Sequence, residues 1–437
     1  MRSPPGAPSD LQYAKEDIME PYFDDRETLR REERLRIQVE ALSRMVEAAR
    51  RQSTVLRKGF EDLGVNPGDI KTVADFERLP VISRERLVEM ELERPPYAGL
   101  ENPDAEIDRI FISPGPVYEP HLGEEDVLWA RAYKAAGLAK GDVVLNAFSY
   151  HMVAAGLTFH GGLRKVGATV IPSGASSAQA QVQLIRDLGA TAYTGTPSFL
   201  MAIIEKAREM GYDFRKDFRV RKACFAAEPL FPAMRERFET EFGIDTYQMY
   251  GATEVGDVAY ECREKKGWHL CEEVYVEIVD PATGKAVPPG TPGEIVVTRF
   301  NDIFYLFRFG TGDLSRIVEE PCPCGRTSYR LAGILGRVGD AVKVRGLFVA
   351  PSQLQQVDAK FPEIRKFQIV VGRSGHEDRL NVRIDPAEPS GDFSSLEQAF
   401  HKAFREICTV RIDRIEFLKP GTLTDEDRRI VDERSWK

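Results

Sequence analysis

Five side chains that can bind a soft metal ion lie in two short segments of the sequence. Cys262, His269 and Cys271 lie close together, and Cys322 and Cys324 follow in the segment PCPCGRT. Thiolate and imidazole groups are the usual ligands of structural zinc, which takes four of them in a closed tetrahedral site. We therefore predict zinc ligands at Cys262, His269, Cys322 and Cys324, with Cys271 as the substitute for His269. The alternative is a group of buried free thiols.

The expected zinc is structural, because no water-bearing position or general base is evident beside these residues. Cys224 and Cys408 have no partner nearby in the sequence and are expected to be ordinary core residues. Six cysteines in 437 residues are too few for a disulfide framework.

Three polar segments further suggest a nucleotide site. Thr253 and Glu254 end the segment YGATE directly after a predicted strand, where a hydroxyl can hold a phosphate and a carboxylate can hold Mg²⁺. Alone, this segment is better explained as a polar turn between a strand and a loop. It is followed by RFGTGD, in which Asp313 could bind both hydroxyls of a ribose, and then by GRVGD with Arg337. The order of the three segments, rather than any one of them, favours a nucleotide-binding function.

The elements that position these segments follow from hydrophobic periodicity. A helical pattern without Pro or Gly predicts an amphipathic helix from Glu27 to Gln52. Between Gly141 and Gly251, short β-branched runs alternate with helical ones. The predicted strands are DVVLNAF, ATVIPSG, TAYTGTP, KACFAAEP and IDTYQMYG, and the helices include AQAQVQLIRDLG, PSFLMAIIEKAREMG and PAMRERFETEFG. This alternation predicts a doubly wound α/β sheet, whose ligands bind beyond the carboxyl ends of the strands.

A second, smaller unit is predicted towards the end of the chain. After a hairpin around VYVEIVDPATGKAVPPG and a strand EIVVTRF, the helix PSQLQQVDAKF, the strands FQIVVG, LNVRI and RIDRIEFL and the helix SSLEQAFHKAFREI indicate a small α+β domain. We expect a large domain over residues 1–335 and a small mobile domain over 336–437.

Composition excludes several classes of protein. A formal charge of −9 and a pI near 5.5 oppose a nucleic-acid surface. Hydrophobic residues make up 42% of the chain, but no apolar run approaches the ~18 residues that a membrane span needs. The polar, proline-rich start MRSPPGAPSD does not read as a secretory signal, so the expected compartment is the cytoplasm.

Several segments, read in order, resemble those of the phenylacetate-CoA ligase family of the adenylate-forming superfamily. They are KGDVVLNAF, GATVIPSGA, GATAYTGTPS, AAEPL, YGATE, TGDL, CGRT and RGLFVAPSQL. The resemblance implies the family's reaction, in which ATP and an aryl acid form an acyl-adenylate. CoA then displaces AMP after the small domain rotates. It also implies ATP or AMP, Mg²⁺ and CoA as cofactors, a small aromatic or acyl acid or its CoA thioester as partner, and a homodimer, with a carrier protein as another conceivable acceptor.

The resemblance also implies roles for individual residues. Phosphate and Mg²⁺ contacts fall at Thr253 and Glu254, and the hinge falls at Gly339, where the family usually has Asp. The other nucleotide contacts fall at Ala227, Glu228, Pro229, Tyr250, Gly251, Asp313 and Arg337. The acyl pocket falls at Phe148, Tyr150, Met152 and Ala154. His151 could orient a carboxylate or act as a base, but a lone histidine at a helix start can equally be a packed or capping residue.

Two departures from the family pattern bear on ATP. The family's phosphate loop is replaced by FISPGPVYEP, in which Pro114 and Pro116 lack N–H donors, the lysine is missing, and Glu119 is expected to repel phosphate. The C-terminal lysine is replaced by the acidic stretch TLTDEDRR, where only Arg428 or Lys419 could substitute. Losing one such group costs ~10²–10³ in rate. We therefore expect a ligase homologue with impaired ATP handling; the alternative is an ATP-independent acyltransferase or an acyl-CoA- or nucleotide-binding protein.

Overall fold

The structure is a computed structural model that describes residues 21–113, 117–122, 128–339, 341–345, 347–349, 351–374, 377–389 and 393–434. The α-helices are α1 Arg31–Gln52, α2 Thr54–Asp62, α3 Val73–Phe76, α4 Arg84–Glu93, α5 Ala130–Ala135, α6 Ala155–Lys165, α7 Ala178–Leu188, α8 Pro197–Glu209, α9 Phe214–Asp217, α10 Pro232–Thr240, α11 Pro351–Asp358 and α12 Ser394–Cys408. Short 3₁₀ helices span Asp25–Thr28 and Pro67–Asp69.

The strands are β1 Ile82–Ser83, β2 Ile110–Ser113, β3 Val117–Pro120, β4 Val143–Asn146, β5 Thr169–Ile171, β6 Ala192–Gly195, β7 Lys222–Phe225, β8 Asp245–Ala252, β9 Gly256–Glu261, β10 Trp268–Leu270, β11 Val274–Val279, β12 Gly293–Arg299, β13 Phe309–Ser315, β14 Ile317–Val318, β15 Arg330–Leu331, β16 Gly336–Arg337, β17 Val342–Val344, β18 Leu347–Val349, β19 Ile364–Ser374, β20 Glu377–Pro386, β21 Arg414–Phe417 and β22 Ile430–Asp432.

The predicted doubly wound α/β arrangement is confirmed. Strands β5, β4, β6, β7 and β8 lie side by side and run parallel. Successive strand residues face opposite layers, as the two-residue period of a strand requires. In β4, for example, Leu145 packs with α7 and α8, whereas Val144 packs on the other face with Phe159 of α6.

The sheet does not end at β8, as the doubly wound pattern alone would suggest. It continues through β9, β10, β15 and β14, each antiparallel to its neighbour. The connection from β8 to β9 is a short turn over residues 253–255, followed by Gly256 at φ +73°. So short a connection can join only antiparallel strands, because a parallel pair needs a long crossover.

A second sheet brings distant polar segments together. Its order is β1-β13-β12-β11, with β16 paired to β13. Ser83 of β1 lies opposite Gly310 of β13, and Asp313 of β13 lies opposite Arg337 of β16. Because β12 occupies the other edge of β13, β1 and β16 lie along the same edge, and the residues around Arg84 and Arg337 are both placed beside the segment that carries Asp313.

The C-terminal elements form a sheet of order β21-β20-β19-β22 packed against α11 and α12. Their hydrophobic core draws only on residues from Val342 onward, including Phe367 of β19 and Phe400 of α12. The predicted helices and strands of this region are all found.

Across the described ranges, no helix is both long and apolar enough to span a membrane.

The first helix begins later than periodicity predicts. Residues Asp25–Thr28 form a 3₁₀ turn, Leu29 is extended at ψ +143°, and α1 starts at Arg31 rather than Glu27. The cause is tertiary: Glu27 is buried and pairs with Arg326 through a 2.8 Å Oε2–Nε contact. A hydrophobic pattern cannot indicate such a buried ion pair.

Candidate functional site

The predicted nucleotide segments converge beyond the carboxyl end of β8. The Tyr250 hydroxyl donates a 2.9 Å hydrogen bond to Oδ2 of Asp313, and Arg337 Nε lies 3.5 Å from Oδ1 of the same carboxylate. Burial raises the pKa of Asp313, and the Tyr250 hydroxyl and Arg337 offset this only in part. The Arg337 side chain is largely exposed, so this carboxylate sits where the crevice opens to solvent.

A residue not singled out from the sequence, Arg84, lies beside the YGATE segment. It is the first residue of α4, and its guanidinium forms an ion pair with Oε1 of buried Glu254. Thr253 donates a 3.2 Å hydrogen bond from Oγ1 to the other Glu254 oxygen. A second Arg84 nitrogen, Nη2, donates to Ser113 Oγ at 3.1 Å. The arginine thus connects the YGATE segment with the end of β2.

Glu119, which the sequence predicts to repel phosphate, lies in a buried position on β3. The departing loop segment forms the β2–β3 hairpin, although Pro114, Gly115 and Pro116 at its tip lie outside the described residues. Glu119 points inward and is only 4% exposed, and its Oε1 accepts a 2.6 Å hydrogen bond from Ser113 Oγ. Burial, reinforced by the charge of Glu254, raises the pKa of Glu119 to about 7.

Glu91 forms a second buried carboxyl group beside the first. Its Oε2 accepts the Tyr118 backbone N–H at 2.9 Å. Burial raises its pKa to about 7, and the charges of Glu119 and Glu254 add to the effect. Near neutral pH these two groups therefore carry less negative charge than their number suggests.

The remaining nucleotide candidates lie on the rim of the crevice. Ala227, Glu228 and Pro229 are exposed after β7, and Ala227 has φ +68°. Glu228 Oε1 accepts a 2.9 Å hydrogen bond from Ser198 Oγ. At Gly251, a Cβ would lie 2.3 Å from the Gly256 carbonyl oxygen and 2.7 Å from the Trp129 ring, so only glycine fits there.

The acyl-pocket candidates divide into buried and exposed groups. Phe148 stacks on Phe159 at 4.3 Å between ring centroids, and Phe159 stacks on Trp129 at 4.2 Å. Tyr150 is held by a 2.8 Å bond from Asn146 Nδ2 to its hydroxyl, and burial raises its pKa to about 12. Its hydroxyl also lies 3.1 Å from Nδ1 of His160, a histidine that periodicity did not single out.

His151 and Met152 are exposed, and Ala154 immediately precedes α6. The Met152 carbonyl accepts a 2.9 Å hydrogen bond from the Ile112 N–H. The β2–β3 hairpin is therefore bonded to the segment that carries these side chains.

The four predicted metal ligands meet in one buried cluster. The ligand atoms of Cys262, His269, Cys322 and Cys324 all lie within 4.8 Å of one another. Sγ of Cys262 is 3.7 Å from Sγ of Cys322, and Sγ of Cys324 is 3.4 Å from Nε2 of His269. Cys271 is not part of the cluster, since its thiol lies 3.6 Å from Oδ2 of Asp257.

The segment before α1 is bonded to the loop that carries two of these cysteines. Tyr22 donates a 3.2 Å hydrogen bond to the Cys324 carbonyl, and Arg326 pairs with Glu27. Arg131, which is completely buried, contacts Asp24 at 2.6 Å, Glu273 at 2.8 Å and Glu27 at 3.4 Å. This ionic network has no signature in the sequence, because its members come from four distant segments.

The predicted hinge and the C-terminal segment lie further along the chain. Gly339 has φ +98°, a conformation that favours glycine. In the acidic stretch, the Arg428 carbonyl accepts a 2.7 Å hydrogen bond from Gln368, and the Arg428 and Lys419 side chains are exposed.

The chain matches known proteins over most of its length. The family model of AMP-binding enzymes matches residues 125–301, and the model of the AMP-binding enzyme C-terminal domain matches residues 346–434. The chain is 31% identical to a phenylacetate-coenzyme A ligase of Thermus thermophilus, covering 84% of this chain and 85% of the relative.

Solved structures agree with this classification. An open conformation of 2-hydroxyisobutyryl-CoA ligase in complex with 2-HIB-AMP and CoA has a TM-score of 0.82 at 25% identity, covering 97% of both chains. The same ligase in the thioesterification state has a TM-score of 0.68 at 25% identity, covering 98% of this chain and 95% of the other. The chain belongs to the phenylacetate-CoA ligase family of AMP-binding enzymes.

Proposed function

We propose that this protein is an acid–thiol ligase that joins a small aromatic acid to CoA through an acyl-adenylate. The observation that carries the proposal is the convergence of Thr253 and Glu254 with the bonded set Tyr250, Asp313 and Arg337. These residue types are suited to a phosphate with its Mg²⁺ and to a ribose, respectively.

In this proposal each residue acts on a different part of the nucleotide. Asp313 accepts hydrogen bonds from the ribose hydroxyls, and Arg337 neutralises charge beside it. Glu254 binds Mg²⁺, which when bound offsets the charge of the phosphates. The rim residues Ala227 to Pro229, together with Gly251, border the adenine.

The acid is proposed to lie between α6 and the β2–β3 hairpin. Phe148 would bound its aromatic portion, and Tyr150, Met152 and Ala154 would line the remaining space. His151 is exposed at this opening and is proposed to orient the carboxylate rather than to remove a proton, because no described carboxylate is bonded to its ring.

We infer a large domain over residues 1–335, a small domain over 336–437, and a hinge at Gly339. The separate C-terminal core and the positive φ of Gly339 support this division. The higher TM-score against the open conformation than against the thioesterification state supports a rotation of the small domain between steps.

We further propose that adenylation is slow relative to family members with an intact loop. Pro114 and Pro116 cannot donate backbone hydrogen bonds to phosphate, and the C-terminal stretch around Glu426 is acidic. The same facts favour a second candidate function, acyl transfer from an acyl-CoA without ATP.

Pyrophosphate release distinguishes the two functions. Purified protein is incubated with MgATP and a panel of aromatic acids, with and without CoA, and Glu254→Gln serves as the inactive control. Acid-dependent pyrophosphate release that is lost in Glu254→Gln supports the ligase. Consumption of an aryl-CoA without ATP, in the absence of any pyrophosphate release, refutes it in favour of the transferase.

The cysteine cluster is proposed to hold structural zinc. Zinc–sulfur bonds of about 2.3 Å in a tetrahedron place two sulfurs about 3.8 Å apart, and a sulfur and an imidazole nitrogen slightly closer. The observed separations of 3.7 Å and 3.4 Å fit this donor set. Ser328 Oγ lies 3.3 Å from Nδ1 of His269 and supports the imidazole from behind.

Elemental analysis tests the zinc proposal. The native protein is expected to contain one zinc per chain, and Cys322→Ser is expected to lose it together with several degrees of melting temperature. Cys271→Ala is the matched control, since its thiol is buried outside the cluster. Substoichiometric metal in the native protein would contradict the assignment.

Three further features are proposed with their tests. All six cysteines are free, which supports a reducing, cytoplasmic location that cell fractionation would check. A homodimer rests on the resemblance to the family, and light scattering would test it. A carrier protein as acceptor would be tested by replacing CoA in the ligase assay.

A further inference from the structure

We propose that Arg84 binds a phosphate of ATP in place of the missing donors of the phosphate loop, releasing Glu254 to Mg²⁺ as it does so. This inference rests on the proposed adenylation. It assigns a phosphate contact to the start of α4, an element that precedes the departing loop in the sequence rather than belonging to it.

The contacts of Arg84 place its charge where the phosphates would lie. Its guanidinium bonds to Glu254 at the end of the YGATE segment and to Ser113 at the start of the departing loop. The side chain is 33% exposed, whereas that of Glu254 is 1% exposed, so the arginine covers the carboxylate on its crevice side. A guanidinium offers several planar donors and binds phosphate in a bidentate manner.

The position of Arg84 is fixed by the backbone. Ser83 is paired with Gly310 of β13, and its Oγ caps α4 by accepting the Arg86 N–H at 3.2 Å. The positive end of this ten-residue helix therefore faces the same strand that carries Asp313. Arg84 and Asp313 are thereby held on one side of the crevice, in the order phosphate then ribose.

The charges around Arg84 permit it to leave Glu254 and bind a phosphate. Buried Glu254 needs a cation, which Arg84 supplies in this structure and Mg²⁺ would supply when the nucleotide is bound. Glu119 and Glu91 are buried close to this region, and because burial raises the pKa of each to about 7, they carry less negative charge near neutral pH and repel a phosphate less. Arg84 can therefore turn from a carboxylate towards an incoming anion without leaving a bare buried charge behind.

Calorimetric titration of MgATP into the purified full-length protein tests the proposal. Arg84→Ala is expected to bind MgATP about 10- to 100-fold more weakly than the native protein, the range of a charge-assisted bidentate contact. Arg86→Ala is the matched control: it lies on the same helix, but its side chain is about half exposed and, among the described residues, forms ion pairs with Glu89 and Glu93. This control is expected to bind as the native protein does.

Because Arg84→Ala leaves Glu254 unpaired, the variant could fail to fold. Arg84→Lys keeps a cation beside Glu254 but loses the planar donors, and it is expected to bind about five-fold more weakly than the native protein. If Arg84→Ala does not fold, the affinity of Arg84→Lys decides, and native affinity in that variant would overturn the proposal.

The remaining outcomes separate this inference from the proposed function. Native affinity in folded Arg84→Ala would overturn the role of Arg84 and leave the ligase intact. Tighter binding in Arg84→Ala would mean that the Arg84–Glu254 pair blocks the nucleotide, which also overturns it. If the native protein binds no MgATP and releases no pyrophosphate, the ligase assignment fails, and the role of Arg84 fails with it.

Discussion

Replacing Glu119 by glutamine should change how stability depends on pH. In the native protein the Glu119 carboxyl group is buried beside Ser113, and its pKa is raised from 4.5 to about 7. Glutamine has the shape of the neutral acid and cannot ionise. Its oxygen can accept from Ser113, so the substitution should preserve the packing.

The expected change in the free energy of unfolding follows from the linkage between protonation and folding. A raised pKa means that the folded state holds the proton more tightly than the unfolded state. The stabilisation is therefore fully present below pH 4.5 and is lost as the pH rises through 7. A shift of 2.5 units corresponds to about 3 kcal/mol, of which about 2.5 kcal/mol should disappear between pH 5 and pH 8.

Urea unfolding followed by tryptophan fluorescence at pH 5, 6, 7 and 8 measures this pH dependence of the free energy of unfolding. Glu119→Gln should be close to the native protein at pH 5 and about 2 kcal/mol more stable at pH 8. Glu93→Gln, whose side chain is 71% exposed on α4, is the control and should follow the native curve throughout. Parallel curves for the native protein and Glu119→Gln would refute the assignment of a neutral, buried carboxyl group.

Three other substitutions give clear expectations. Arg308→Met should lower the free energy of unfolding by about 3–5 kcal/mol in urea titrations, because it leaves buried Glu277, now 2.9 Å from the arginine, without its cation. Gly251→Ala should destabilise the protein by more than about 2 kcal/mol and weaken nucleotide binding in calorimetry, since its Cβ would overlap the Gly256 carbonyl. Gly339→Pro, which cannot adopt φ +98°, should slow thioester formation more than pyrophosphate release when the two are followed separately.

Periodicity located most of the fold because each strand of the parallel region is a short β-branched or aromatic run bounded by glycine or proline. β6 and β7 are clear cases. The antiparallel continuation beyond β8 was less visible, because it is set by the short turn that follows Ala252 rather than by any hydrophobic pattern.

Some residues of the candidate site could be predicted from the sequence and others could not. Cys262 and Cys322 could be grouped because thiol and imidazole side chains are rare and chemically distinctive. Arg84 could not, because arginine is common on helix surfaces and its partner Glu254 is 170 residues away. The orientation of Glu119 was likewise missed, because nothing in the amino-acid sequence indicates that the hairpin turns this carboxyl group inward.

The attachment of residues 21–28 to the rest of the molecule matters for how the protein is produced. Two acidic partners of buried Arg131, Asp24 and Glu27, lie in this stretch, and Arg326 donates a further hydrogen bond to the Pro21 carbonyl. A recombinant version trimmed back to the start of α1 would leave a guanidinium in the interior with Glu273 as its remaining carboxylate. Expression vectors should therefore retain this stretch, and an affinity tag placed ahead of it needs a spacer long enough to leave Tyr22 seated beside Cys324.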